Sequence, residues 1–281
     1  MKKQSIGFVG QGYVGKSYAD DFEKRGFLVT RYSLEEEYKN NKELIKDCDV
    51  VFIAVPTPTL PTGFDEQYVR ESVRLAGKKK IVVIKSTIIP GLTKKIQEEN
   101  PELYIFHSPE FLSEVTALYE ASHPKRNIIG IPKVTDEYLS KAKEIMEILP
   151  KAPYEKICDS TSAELIKYGR NCLGFFRIMF SNLLYDVSVA TGADWKEIAE
   201  AMSADPDNGP AYMNPIHKSG RGAGGRCFIK DLASFRQMYK NTVADDLGVA
   251  VFEALEQKNK DLLKASGKDI EILKGVYGKD F

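Results

Sequence analysis

The stretch GAGGRCFIKD, residues 222–231, concentrates residue types that support covalent chemistry. A cysteine behind a mostly glycine run and ahead of a helix-like segment stands near exposed backbone N–H groups, which lower a thiol pKa and can form an oxyanion hole. Cys227 is therefore a candidate nucleophile, with Lys230 and Asp231 close by. Cys48, Cys158 and Cys172 sit inside periodic apolar segments and read as small buried hydrophobes. Upstream, Lys167 and Asn171 are four residues apart in ELIKYGRN, so on a helix they share a face. A lysine there either snorkels along an apolar helix or acts as a cation that stabilises a developing oxyanion. Glu110 and Glu114 in HSPEFLSE have the same spacing and would share one face of a short helix.

Another kind of chemistry begins near the N-terminus. Gly10, Gly12 and Gly15 form GxGxxG directly after the apolar run SIGFV and before a helix-like segment. Glycines so placed permit a tight turn, a close approach of backbone to a pyrophosphate, and a helix N-terminus aimed at its charge. A dinucleotide site is favoured over a chance glycine turn. The acid that binds the adenosine ribose belongs about 20 residues further on, at the end of GFLVTRYS. There the chain has Ser33, with Arg31 before it and Glu35, Glu36 and Glu37 beyond. Arg31 suits a 2′-phosphate, which makes NADP an alternative to NAD; in the opposite reading Arg31 points to solvent and Glu35 does the acid's work. VFIAVPTPT and VVIKSTIIPG place Thr57, Ser86 and Thr87 beyond the carboxyl ends of two further strands, where such sheets bind ligands. Turn capping explains these hydroxyls equally well on local grounds.

These side chains need a frame. Short apolar runs at Ser5–Val9, Phe27–Tyr32, Val50–Val55, Ile81–Ile84, Leu103–Phe106 and Asn127–Ile131 alternate with helix-like segments such as Val14–Lys24 and Asp65–Ala76. This alternation predicts a mostly parallel, doubly wound α/β sheet over residues 1–158. Lys78, Lys79 and Lys80 before IVVIK read as a solvated turn. From residue 159 to 281 the texture is all-helical. A long central helix, capped by Ser160, Thr161 or Ser162, runs to Gly192, and shorter helices are predicted at Asp194–Met202, Lys230–Tyr239 and Asp246–Leu263. The loop ADPDNGPAYMNPIHKSGRGAGGRC is long enough to be functional rather than idle.

With 281 residues the chain should hold roughly two domains. Forty basic residues balance forty acidic ones, so no global field recruits nucleic acid or an anionic membrane. The N-terminal apolar run is too short and glycine-rich for a secretory signal. The most apolar stretch, Cys172–Val187, carries Arg177, Asn182 and Asp186, which argues against a membrane span. Four cysteines without a CxxC pair predict a reduced, cytoplasmic protein, and His107, His123 and His217 offer no metal-ligand spacing.

GFVGQGYVG, VFIAVPTPT, KSTIIPG, SPEFLSE, ELIKYGRN and GGRCFIKD, in this order and at these intervals, resemble the UDP-glucose/GDP-mannose dehydrogenase family across essentially the whole chain. The resemblance implies a Rossmann-type domain joined to a helical domain that mediates homodimerisation. It also implies oxidation of a nucleotide-sugar C6 alcohol to a carboxylate with two dinucleotides. Cys227 would form a thiohemiacetal and then a thioester, Lys167 and Asn171 would hold oxyanions, and Asp231 would activate water or shuttle protons. Thr87 and Glu114 would lie near the reacting carbon, Glu114 assisting thioester hydrolysis. Cofactor contacts are implied for Gly10, Gly12, Tyr13, Val14, Gly15, Arg31, Ser33, Pro56, Thr57, Ser86 and Thr87. Sugar-nucleotide contacts are implied for Glu110, Phe111, Leu112, Glu114, Lys167, Asn171, Gly224, Gly225 and Lys230.

Three departures from the family stand out. The sequence reaches Phe281 shortly after VFEALEQKNKDLLK, which resembles the family's central helix, so the further nucleotide-binding domain that usually follows is not expected within these 281 residues. Arg221 and Ala223 stand where the glycine loop commonly has aromatic residues, and Asp207 and Asn208 replace an Arg-Ile pair. The ribose acid is absent at Ser33. Two other readings compete: a two-electron dehydrogenase of the β-hydroxyacid type, which needs no thiol, and a non-catalytic dinucleotide-binding relic.

Overall fold

The computed structural model describes residues 4–279 and Phe281. Its contacts divide the chain into two compact units, one of residues 1–57 and 65–167, the other of residues 58–64 and 168–281. The division falls inside the long helix and not at its start, and it assigns a short internal segment to the second unit.

The first unit is built on a seven-stranded sheet. β1 (Ser5–Val9) leads through α1 (Tyr13–Lys24) to the edge strand β2 (Leu28–Tyr32), and β3 (Val50–Ile53) returns to the other side of β1. That reversal of direction beside β1 makes a switch point, and the glycine loop lies directly after β1. In the second unit's short segment, β4 (Thr59–Leu60) and β5 (Gly63–Phe64) form a two-residue ribbon. The first unit continues with α2 (Gln67–Val73), β6 (Ile81–Ile84), α3 (Leu92–Glu99), β7 (Tyr104–His107), α4 (Ala117–Ser122), β8 (Arg126–Ile131), α5 (Asp136–Ile148) and β9 (Tyr154–Asp159). The sheet order is β2-β1-β3-β6-β7-β8-β9, parallel throughout except for a single antiparallel pair, His107 with Gly130.

The central strands are buried on both faces, so β3 and β6 read as uninterrupted apolar runs. Phe8, Phe22 and Phe52 pack at centroid distances of 5.0 to 5.5 Å in the layer between sheet and α1. The strand β9 has no counterpart in the sequence reading, because YEKICD is half exposed and charged. Helices α3 and α4 lie between apolar runs, where the alternation expects helix-like segments; α5, beyond the last of those runs, is capped by Thr135, whose side chain accepts from the Tyr138 N–H.

The long helix α6 runs Ser160–Thr191, 32 residues, as its apolar period requires. Its first turn is capped by Asp159, whose carboxylate accepts the Thr161 N–H at 2.9 Å, and not by one of the hydroxyl residues that follow. Glu164 then holds the backbone N–H groups of Gly91 and Thr93 at 2.5 and 2.9 Å, fastening the helix to the start of α3. By length and mean hydropathy of 1.2 it is the one helix, among the described residues, that could cross a membrane. It nevertheless buries Glu164, Lys167, Asn171, Ser181 and Asn182, which marks the core helix of a folded unit.

In the second unit α6 is followed by α7 (Trp195–Ala204), the two-residue ribbon β10 (Ile216–His217) and β11 (Gly220–Arg221), α8 (Gly225–Thr242), α9 (Asp246–Ser266) and α10 (Ile270–Tyr277). Asp194 and Asp245 cap α7 and α9 with their carboxylates. α8 starts five residues earlier than its apolar period indicated, so the glycines themselves enter the helix. α10, absent from the sequence reading, packs Leu273 and Val276 against Ile229, Ala233 and Leu263.

Candidate active site

The dinucleotide loop is shaped by what its glycines exclude. Gly10 adopts φ +91°, a left-handed conformation open to glycine, and donates its N–H to the Tyr32 carbonyl at 2.8 Å. A Cβ on Gly15 would collide with the Gly10 carbonyl, so glycine there lets α1 close onto the turn. Gly12, the residue before α1, faces open space: nothing lies within 4 Å of where its Cβ would be. The N-terminus of α1 therefore starts beside a cleared space, the setting that receives a pyrophosphate. Tyr13 is exposed and Val14 half-buried beside it.

Beyond β3, Pro56 is exposed and Thr57 is buried. The Ser86 hydroxyl donates to the Val55 carbonyl at 2.7 Å and accepts the Val55 N–H at 2.9 Å, tying the ends of β3 and β6 together. Ser86 is thus committed to the scaffold, whereas Thr87 is half-buried at the strand end. At the end of β2, Ser33 accepts the Glu35 N–H at 3.3 Å. Arg31 neither points to solvent nor stands ready for a phosphate. Its guanidinium is held by Asp20 at 2.6 Å and Glu23 at 2.7 Å, with 10% of the side chain exposed. The pairing with Glu23 and Asp20 outweighs partial burial and raises its already high pKa. These residues line an open cavity of about 590 Å³ with Lys16, Glu37 and Tyr38.

Residues 108–113 are irregular and 114–116 form a turn, so HSPEFLSE is not a helix and its two carboxylates part company. Glu114 is exposed. Glu110 is 6% exposed, and both its backbone carbonyl and its carboxylate accept from the Lys167 ammonium at 2.6 Å. It also caps the loop by accepting the Leu112 N–H at 2.7 Å. Phe111 lies under two cations, Arg126 at 3.7 Å and Lys167 at 5.7 Å from its centroid. Lys167 is not snorkelling: it is buried, and two of its three N–H donors are engaged.

Sequence reasoning overlooked the layer behind this pair. Lys85 is 2% exposed; its ammonium donates to Ser108 Oγ at 3.0 Å and lies 4.3 Å from the Tyr18 ring centroid. Burial, opposed by the Glu110 charge, pushes its pKa down to about 7. The signal was present, since a lysine closing the fully apolar strand IVVI is out of place unless it has partners.

In the second unit, Asn171 and Asp231 are both buried and joined, Nδ2 to Oδ2, at 2.6 Å. The other Asp231 oxygen accepts from Lys230 at 2.5 Å. Asp231 is one turn along α8 from Cys227, which occupies the helix's third position and is half-buried. Gly224 is the N-cap and Gly225 the first helical residue. Cys172, by contrast, is buried and its thiol is pushed up to about 12 by burial and by the Asp231 charge. Contrary to its glycine content, the run does not simply expose N–H groups. The Ala223 N–H is bound by Asn259 Oδ1 at 2.7 Å and the Gly225 N–H by Asp269 at 2.7 Å.

Comparisons with known proteins identify the family and the fold. Sequence models of the UDP-glucose/GDP-mannose dehydrogenase family match twice, the NAD binding domain at residues 31–149 and the central domain at residues 161–261. UDP-glucose 6-dehydrogenase of Rickettsia bellii is 32% identical over 230 residues, covering 79% of this chain and 51% of the relative. The chain thus spans about half that relative's length. Among solved structures, a UDP-glucose dehydrogenase from Pyrobaculum islandicum superposes with a TM-score of 0.79 at 24% identity, covering 97% of this chain and 71% of that one. The 3-hydroxyisobutyrate dehydrogenase of Mycobacterium tuberculosis shares the fold at 14% identity with a TM-score of 0.72, over 94% of this chain and 95% of that one. With both family domains matched in order and an NAD(P) cradle formed by its own glycines, the chain belongs to the UDP-glucose/GDP-mannose dehydrogenase family.

Proposed function

We propose that this chain carries the machinery for four-electron oxidation of a nucleotide sugar, C6 alcohol to carboxylate, of the UDP-glucose to UDP-glucuronate type. The observation that supports it most is the grouping on α8: a half-buried thiol near the helix N-terminus and, one turn on, a buried carboxylate bonded to Asn171. A two-electron dehydrogenase has no use for the thiol.

The glycine cradle at Gly10, Gly12 and Gly15 fits a dinucleotide, and the chemistry a bound NAD supplies is acceptance of a hydride from C6 in each oxidation. The chain's own residues do the rest. Lys167, with Glu110 holding two of its donors, has a third N–H for the C6 oxygen. Asn171 has its second amide hydrogen for the same purpose, and Asp231 shuttles the hydroxyl proton as the first hydride leaves. The Cys227 thiolate then adds to the aldehyde carbon, forming a C–S bond and an alkoxide. Loss of the second hydride restores the C=O as a thioester. Water adds, the C–S bond breaks, and the carboxylate leaves with the thiolate regenerated. Thr87 and Glu114 are assigned near the reacting carbon by family resemblance, Glu114 for the hydrolytic step.

NAD is the preferred cofactor in this reading. Arg31 is neutralised by Asp20 and Glu23, and Glu35, Glu36 and Glu37 follow, so a 2′-phosphate would meet net negative charge. A homodimer through the helical part is proposed as well: Leu173, Phe180 and Val187, seven residues apart on α6, are 62%, 58% and 57% exposed. A second copy would cover this stripe.

The competing two-electron reading draws on the shared fold with 3-hydroxyisobutyrate dehydrogenase. The deciding experiment counts reduced cofactor per sugar with UDP-glucose and NAD. Two per sugar in the wild type, falling to one or none in Cys227→Ala, supports the thioester route. One per sugar, unchanged by the substitution, transfers the chain to the two-electron class.

A further inference from the structure

The glycine run before Cys227 lies against the far end of α9 and the turn beyond it, all within the second unit. Asn259, 3% exposed, grips Ala223 from both sides: Oδ1 accepts its N–H at 2.7 Å and Nδ2 donates to its carbonyl at 3.1 Å. Lys268, 6% exposed, donates to the carbonyls of Gly220 and Gly222 at 3.2 and 3.1 Å. Asp269 accepts the Gly225 N–H at 2.7 Å. Three side chains thus hold four residues of a six-residue stretch by backbone atoms alone.

The steric pattern shows that the glycines serve this contact. Gly222 sits at φ +89°, and a Cβ there would press on Asn259 Oδ1 at 2.9 Å. A Cβ on Gly224 would collide with the Asp269 carboxylate and crowd the Lys268 side chain at 2.7 Å. The turn containing Lys268 is itself fixed, because α9 ends at Gly267 in the left-handed conformation and the Lys268 N–H returns to the Leu263 carbonyl at 2.9 Å. A bare ammonium on a buried stem is a costly way to satisfy two carbonyls unless their placement matters.

We propose that Lys268, with Asn259 and Asp269, is a positioning residue for Cys227: it fixes the turn from which α8 starts and thereby the direction of the thiol. The proposal rests on the reading of Cys227 as nucleophile. Misplacement of a reacting group by about 1 Å costs on the order of 100-fold in rate. The loss should fall on the aldehyde-to-acid step, which uses the thiol, and spare alcohol oxidation, which does not.

The test compares Lys268→Met and Lys268→Arg in the full chain. Iodoacetamide alkylation is followed peptide by peptide, with Cys158, half-buried in the other unit, as internal reference. The expected result is a change of at least about fivefold at Cys227, none at Cys158, and return to within about twofold of wild type in Lys268→Arg. An unchanged Cys227 rate in folded Lys268→Met, or an equal change at Cys158, overturns the proposal. Should Lys268→Met fail to fold, Asn259→Asp, which keeps the acceptor for Ala223 and loses the donor, is read the same way. With UDP-glucose and NAD, Lys268→Met should yield about one reduced cofactor per sugar where wild type yields two. If wild type itself yields one, the nucleophile reading falls while the alkylation result still decides whether the frame controls Cys227.

Discussion

Two glycine-rich turns, each running into a helix, use the same residue for opposite ends. At Gly12 the missing Cβ leaves space that the chain does not fill. At Gly222 and Gly224 it leaves space that Asn259, Lys268 and Asp269 occupy. The first turn leaves an open space beside its helix N-terminus; the second gives two N–H groups, those of Ala223 and Gly225, to its own side chains. A glycine motif therefore announces close approach without saying whether guest or host does the approaching, and the Cβ contact distinguishes them.

Substitutions break the comparison in order of expected effect. Cys227→Ala should lower acid formation by about 1000-fold or more, measured as uronate by chromatography, since a thioester cannot form without the thiol. NAD affinity should be unchanged, because nothing in the glycine cradle is altered. Gly12→Ala should do the reverse. It should weaken NAD binding by about tenfold or more in a calorimetric titration, with the melting temperature preserved, because its methyl enters only the ligand's space. Gly222→Ala should cost about 1–3 kcal/mol in urea unfolding, since φ +89° strains any L side chain and Asn259 Oδ1 is in the way.

Freeing Arg31 sharpens the cofactor side. The double variant Asp20→Asn, Glu23→Gln should move the NADP to NAD ratio of binding constants upward by about tenfold, as removal of two carboxylates leaves a guanidinium for the 2′-phosphate. An unchanged ratio would mean that Arg31 cannot reach the ribose.

A further effect concerns acid. His107 is fully buried in β7, and burial together with the Lys85 charge pushes its pKa down to about 3. A folded-state pKa below the unfolded value of about 6.5 means the unfolded chain binds more protons in that interval. The stability that depends on neutral His107 should be fully present above about pH 6.5 and be lost progressively as pH falls towards 3. His107→Phe should flatten that slope in thermal melts across the range, at a modest packing cost.

The sequence announced whatever depended on burial and period. The apolar runs of β1, β3, β6 and β7, the 32-residue helix and the Lys167–Asn171 spacing could all be read in advance. Facts set by distant partners were hidden. Nothing local says that Glu110 turns inward to Lys167 while Glu114 turns out, or that Arg31 is claimed by carboxylates 8 and 11 residues before it. The fastening of the Cys227 turn to Asn259 and Lys268 spans 36 to 48 residues, beyond any periodic signal.

The strand that hid best, β9, repays attention for what it prevents. It closes one side of the sheet, and Tyr154, Glu155 and Lys156 stand exposed along it. At the opposite margin, β2 carries the clamped Arg31. A sheet whose outer rows bear fixed charges offers poor purchase to a stray extended chain. The same polarity that concealed β9 from pattern reading thus guards the protein against fibril-like stacking at high concentration.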